Sequence, residues 1–204
     1  MKKLVIALLL AAILWTIMFS PLTAPWVNFW YMMTASAATL AVYATCVRPG
    51  WWKQVKWTTS ELLLGIAVAS ALWGIFWVGD RLAAWMFDFA RPQVDMIYGM
   101  KTGESPWLLG GLMLLLIGPA EEIFWRGYVQ HTLSACYNPD KGLIITTLLY
   151  TLVHVASCNF MLIMAALVAG AVWGLCYRLF PNRFGAIILS HALWDVAVFV
   201  VFPI

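Results

Sequence analysis

Long apolar runs, broken at short polar or basic turns, fill this chain from end to end. A bilayer core takes about 20 apolar residues in helical form. Runs of that order cover roughly 4–20, 27–47, 61–79, 107–135, 141–157, 160–178 and 184–202. The pattern predicts an all-α, polytopic transmembrane helix bundle of about seven spans. An eighth is possible between Asp80 and Ser105, where Leu82 to Ala90 is apolar and stops at Arg91-Pro92. That stretch is too short to cross and reads as an interfacial or re-entrant helix. No internal repeat, low-complexity segment or linker divides the chain. Residues 1–204 therefore read as one integral-membrane domain.

Composition strengthens this reading. Hydrophobic residues make up 64% of the chain and charged residues 10%, far from a soluble average. Trp26, Trp30, Trp51, Trp52, Trp57 and Trp107 fall near predicted span ends, as an interfacial aromatic belt requires. Basic turns (Lys2 and Lys3; Arg48, Lys53 and Lys56; Lys141; Arg178 and Arg183) alternate with neutral or acidic ones. That alternation predicts an N-in, C-out protein of the cell membrane, with the lipid bilayer as its surroundings. A net charge of +3, dispersed along the chain, argues against a nucleic-acid surface. Lys2, Lys3 and the apolar run to Ser20 imitate a signal peptide. Pro25 stands just past the possible cleavage site at Thr23-Ala24, and six more runs follow, so an uncleaved first helix is expected. Cys46, Cys136, Cys158 and Cys176 have no CxxC spacing and read as core or lipid-facing thiols.

Charge inside the fourth run changes the picture. Pro119-Ala120-Glu121-Glu122-Ile123-Phe124-Trp125-Arg126-Gly127 sets two acids and a base at bilayer depth. Charges there are costly and persist when paired or used. Glu122 and Arg126 are i,i+4 and share a face, so they can form a salt bridge. Glu121 is rotated by about 100° from Glu122 and faces elsewhere.

Two further polar sites lie in apolar runs. One is His154, and the other is the i,i+4 pair His191 and Asp195. With a turn near Asn138-Pro139, Glu121 lies 17 residues before it and His154 16 after it. In an antiparallel helix pair, equal separations mean equal depth, here about 25 Å from the turn. The hairpin then projects into the cytoplasm, and the three sites converge in the inner half of the membrane.

Glu121-Glu122-x-x-x-Arg126, Tyr150-x-x-x-His154 and His191-x-x-x-Asp195 resemble, in order, the motifs of the CAAX prenyl protease and bacteriocin-processing family (CPBP) of intramembrane glutamic endopeptidases. The resemblance covers approximately residues 107–202, the implied catalytic core. It implies a hydrolase without cofactor or metal, acting on a peptide or membrane-protein substrate. Glu121 and His154 would activate water, Glu122 and Arg126 would be the supporting pair, and His191 and residue 195 would stabilise the oxyanion. Donors aimed at that charge are often the largest catalytic contribution. The sequence departs from the family at Tyr150, where phenylalanine is commoner, and at Asp195, where asparagine is. An ionised Asp cannot donate a hydrogen bond. Asp195 is protonated, or orients His191, or marks a weak protease; orientation of His191 is the expectation here.

Competing readings keep the same residues. Glu121, His154 and His191 could bind zinc as two His and one carboxylate, although no HExxH is present. The same polar groups would also suit a non-catalytic immunity or regulatory membrane protein, or a proton-coupled transporter. His131 reads as a solvated surface residue, Asn159 and Asp80 as turn residues, and Trp125 and Trp194 as packing or cavity-lining residues.

Overall fold

The computed structural model describes residues 1–204 as eight helices with no strand. They are α1 (Lys2–Phe19), α2 (Phe29–Val47), α3 (Thr59–Met86), α4 (Ala90–Gly99), α5 (Pro106–Cys136), α6 (Pro139–Val153), α7 (Phe160–Leu179) and α8 (Phe184–Val201). Five of them, α1, α3, α5, α7 and α8, are long and apolar enough to cross a membrane. The ends follow local chemistry. Asn28, Thr58, Asn138 and Asn159 each cap a helix, the side chain accepting the backbone N–H of Tyr31, Glu61, Lys141 and Leu162 respectively. Asn138-Pro139 makes the α5–α6 turn, with Pro139 at the first helical position, where its missing N–H costs nothing.

The segment between α3 and α5 departs from the expected interfacial helix. Leu82 to Met86 continues α3, and the chain breaks at Phe87. The short helix is α4, which contains Arg91-Pro92 rather than stopping there. Pro92 sits in its first turn, where a missing N–H is tolerated. Asp80 lies within α3 and not in a turn, and pairs with Arg91 at 3.1 Å. At 15 residues, about 22 Å long, α6 is also shorter than the predicted 141–157 run.

Apolar side chains cover both the inside and the outside of the bundle. Along α1, Leu4, Ala7, Ala11, Trp15 and Met18 are buried while Val5, Ile6, Leu9 and Ile13 are exposed. Ile144, Leu148 and Leu152 form an exposed stripe at i,i+4 spacing on α6. Outward apolar faces of this extent belong against lipid. Cys46, Cys136 and Cys158 are exposed and Cys176 is half-buried, all as free thiols.

Small residues let the helices around the motifs approach closely. Gly118 of α5 lies against the backbone of Ala192 in α8, and an added Cβ would come within 2.8 Å of Ala192 Cα. Gly118→Ala is accordingly expected to destabilise the protein by about 1–3 kcal/mol, read as a lower melting temperature in detergent micelles. Gly170 and Gly174 of α7 present their carbonyls to α5. Arg126 donates to Gly170 O at 3.1 Å and Gln130 to Gly174 O at 2.8 Å, two rungs one turn apart. Around the acids α5 is not a regular α-helix. Wider π-turns run over Met113–Ile117 and Ile123–Gln130. The first of them precedes Pro119, which removes one backbone donor and crowds the carbonyl four residues back.

One end of the bundle is basic. Lys2, Lys3, Arg48, Lys53, Lys56, Lys141, Arg178 and Arg183 all lie at or next to helix ends that meet there. Cross-contacts tie these ends together: Tyr43 to the Lys3 carbonyl, Arg48 to the Gly127 carbonyl, Arg178 to Asp140 and Arg183 to Glu61. The helix termini at this end are staggered. Arg48 closes α2 level with Gly127, whereas α5 runs on to Cys136. At the opposite end Trp26, Trp85 and Trp107 are exposed.

Candidate active site

Four helices converge on the polar motifs. Glu121, Glu122 and Arg126 come from α5, Tyr150 and His154 from α6 and its C-cap, Trp173 from α7, and His191 and Asp195 from α8. All the motif residues are buried.

Behind the site lies a closed ionic cluster. Arg126 Nη1 donates to Glu122 Oε1 at 2.8 Å, and His191 Nδ1 meets the same oxygen at 2.7 Å. Glu122 is 0% exposed and Arg126 1%, so this charge pair has no solvent to screen it. Trp173 stacks flat on the His191 ring, with centroids 3.7 Å apart and planes 15° from parallel. Two contacts, an ionic one at Nδ1 and an aromatic one on the ring face, therefore fix the imidazole. They leave its Nε2 as the ring nitrogen not held by Glu122.

In front of the site is a cavity of about 620 Å³ with 36 lining residues, 30 of them hydrophobic. The other six are Gly79, Asp80, Glu121, His154, His191 and Asp195. Asp80 is tied to Arg91. The polar members of the three motifs thus supply nearly all the polar lining of an apolar chamber, while Glu122 and Arg126 stay behind its wall. Rotation of Glu121 away from the ion pair is what puts it in the chamber.

His154 marks where α6 stops. A helix's last carbonyls lack partners within the helix, and the His154 ring supplies one, with Nδ1 donating to the Tyr150 carbonyl at 2.8 Å. Trp15 Nε1, which can only donate, meets His154 Nε2 at 3.3 Å. Together these contacts assign the neutral Nδ1–H tautomer. Glu121 and His154 face the same cavity, but no hydrogen bond joins them. Tyr150 stands between: its hydroxyl donates to Glu121 Oε2 at 2.9 Å, and its ring centroid lies 5.0 Å from that of His154.

Asp195 stands beside His191 as the i,i+4 spacing predicts, at ion-pair range. Asp195 Oδ2 is 3.6 Å from His191 Nε2, beyond hydrogen-bond reach. Glu122, on another helix, makes the shorter contact to His191, at the other ring nitrogen. Spacing along one helix identifies i,i+4 neighbours and cannot reveal a closer partner across the bundle. His131 is no free surface residue; it is half-buried, with Nδ1 3.2 Å from the Tyr177 hydroxyl. Trp125 is fully buried and packs against Tyr150, whereas Trp194 lines the cavity.

For the zinc reading, the donor set is a poor fit. No group of three His, Cys, Asp or Glu side chains is arranged to hold an ion. Both His154 nitrogens have protein partners, and one His191 nitrogen is bound to Glu122.

Sequence comparison adds to this geometry. Residues 103–197 match the family model for type II CAAX prenyl endopeptidase, Rce1-like. These 95 residues, just under half of the chain, are similar to that family. No curated protein and no solved structure matches the chain. The match agrees with the family resemblance carried by the three motifs, over the same part of the chain. All the motif residues fall within the Rce1-like segment, which begins just before α5 and takes in most of α8. Helices α1 to α4 lie outside it, yet α1 brings Trp15 to His154. The Rce1-like segment is therefore completed by residues that the motifs do not announce. Tyr150 carries a signal, the aromatic four residues before His154. Trp15 and Trp173 carry none, being two among 13 tryptophans.

Proposed function

We propose that the protein is an intramembrane endopeptidase that hydrolyses a peptide bond with water activated by Glu121, without a metal ion. The observation that carries this reading is the partition of charge. One buried acid is neutralised behind the wall, and its neighbour faces an apolar chamber beside two imidazoles.

In this mechanism a water held by Glu121 gives it a proton as its oxygen attacks the scissile carbonyl carbon. His154 Nε2, now shared with Trp15, is the second acceptor for that water. Charge developing on the carbonyl oxygen is met by His191 Nε2–H, which requires the imidazolium form, since Nδ1 also donates to Glu122. Collapse of the tetrahedral intermediate breaks the C–N bond, and Glu121 returns its proton to the departing amine. Two products leave: a new carboxylate and a new amine.

The substrate is a peptide or membrane-protein segment that enters the apolar cavity. Its cleavage falls in the inner half of the bilayer if the basic end faces the cytoplasm. Along α5, Trp107 to Gly127 spans about 30 Å, the thickness of a hydrocarbon core, and Glu121 lies about 9 Å inside the basic end. The family name suggests a CAAX tail as the peptide.

The test is hydrolysis by the purified protein in liposomes under stringent metal chelation. Cleavage at an undiminished rate, lost in His154→Ala, supports the mechanism. Cleavage that stops on chelation and returns with zinc points to the zinc version. If Glu121→Gln and His154→Ala both leave protection by a membrane partner unchanged, the immunity reading is favoured.

A further inference from the structure

Every buried carboxylate outside Asp195 has a hydrogen-bonded partner. Glu61 takes Arg183 and the Ala186 backbone N–H, Glu121 takes the Tyr150 hydroxyl, and Glu122 takes Arg126 and His191. Asp195 differs. It is 8% exposed, opens on the cavity and makes no hydrogen bond. Its nearest polar neighbour, His191 Nε2 at 3.6 Å, is within ion-pair range only. A carboxylate has about four acceptor sites, and leaving them unfilled in an apolar chamber is costly.

The chamber itself offers no remedy. No lysine or arginine lines it. Arg126 sits behind the wall, committed to Glu122 and Gly170. His191, as the imidazolium, is the one cation of the chain beside Asp195, and it is already held by Glu122 through Nδ1; a cation that hydrogen-bonds Asp195 directly must come with whatever enters.

We propose that Asp195 is a specificity-determining residue, selecting peptides with a lysine or arginine side chain close to the scissile bond. This rests on the endopeptidase reading and assigns a substrate class to the same site. The apolar walls take the peptide's hydrophobic flanks. Asp195 takes the cationic head, close to His191 and hence to the bond being cut. Filling that contact also neutralises a negative charge that would otherwise oppose the developing oxyanion.

The experiment uses the full chain in liposomes and a set of fluorescent hydrophobic peptides. All share one backbone, with a single lysine, arginine, norleucine or glutamine moved through three positions on either side of the cleavage point. Lysine and arginine are expected to raise kcat/KM by roughly tenfold over norleucine at one position. Asp195→Asn is expected to bring that ratio close to one, in peptide binding as well as in cleavage. Asp195→Glu is expected to keep the preference. Asp80→Asn, which alters a cavity acid already paired with Arg91, leaves it in place.

Peptide binding, followed by anisotropy in a Glu121→Gln background, is the second readout. If nothing is hydrolysed yet lysine-selective binding is present and disappears in Asp195→Asn, the endopeptidase reading fails and the specificity assignment stands. Equal handling of lysine and norleucine by the unaltered protein overturns the assignment. So does a ratio that survives Asp195→Asn, or loss of all cleavage and binding in that variant.

Discussion

Glu121→Gln is expected to reduce peptide hydrolysis by about 10³-fold, within the 10²–10⁴ range for removal of a positioned general base. Glutamine keeps the shape of the side chain, and its amide oxygen still accepts from the Tyr150 hydroxyl 2.9 Å away. The bundle and the peptide site therefore survive, and only the capacity to take a proton from water is lost. The expected signature is a large fall in kcat with KM little changed, since the removed interaction acts in the transition state. Residual activity within tenfold of the unaltered protein contradicts the assignment. So does loss of the fold, which would make Glu121 a structural acid.

Arg126→Met carries the largest expected effect on stability. It strands Glu122, which is 0% exposed and whose Oε2 has no partner of its own. Removing one member of a buried ion pair costs about 3–5 kcal/mol because the other charge stays behind uncompensated. The loss also removes a rung to Gly170 of α7 and leaves His191 as the sole partner of Glu122. A strong fall in melting temperature in detergent should thus accompany loss of activity. The double variant Glu122→Gln/Arg126→Met removes both charges and is expected to recover much of the stability. Activity should stay low, because the ionic anchor of His191 at Nδ1 is gone. A melting temperature unmoved by Arg126→Met would mean that the pair does not hold these helices together.

Much of this arrangement is legible in the sequence for identifiable reasons. Apolar runs of membrane length mark helices whatever their partners. Asn138-Pro139 is a cap and first-turn pair that fixes the α5–α6 hairpin. The 100° step between Glu121 and Glu122 assigns them to different faces before any coordinates, and in the structure one lines the cavity while the other does not. Contacts between helices are not legible. Glu122 with His191 and Trp15 with His154 are separated by 69 and 139 residues. Periodicity says only that such residues are buried. The i,i+4 spacing finds Asp195 beside His191 but not the closer Glu122, since it is the only proximity a single helix displays. The course of α3 and α4 escapes the sequence because Arg91-Pro92 resembles a helix stop and serves as part of a helix start.

The central claim, a water activated by Glu121 without metal, is tested most directly by a single turnover in H₂¹⁸O with chelated, zinc-free protein. The expected result is one ¹⁸O in the new carboxylate of the first product, none in Glu121, and no such product from Glu121→Gln. Label in the Glu121 side chain would reveal an acyl-enzyme in place of direct attack by water. A first turnover that proceeds only after zinc is restored would contradict the metal-free mechanism outright.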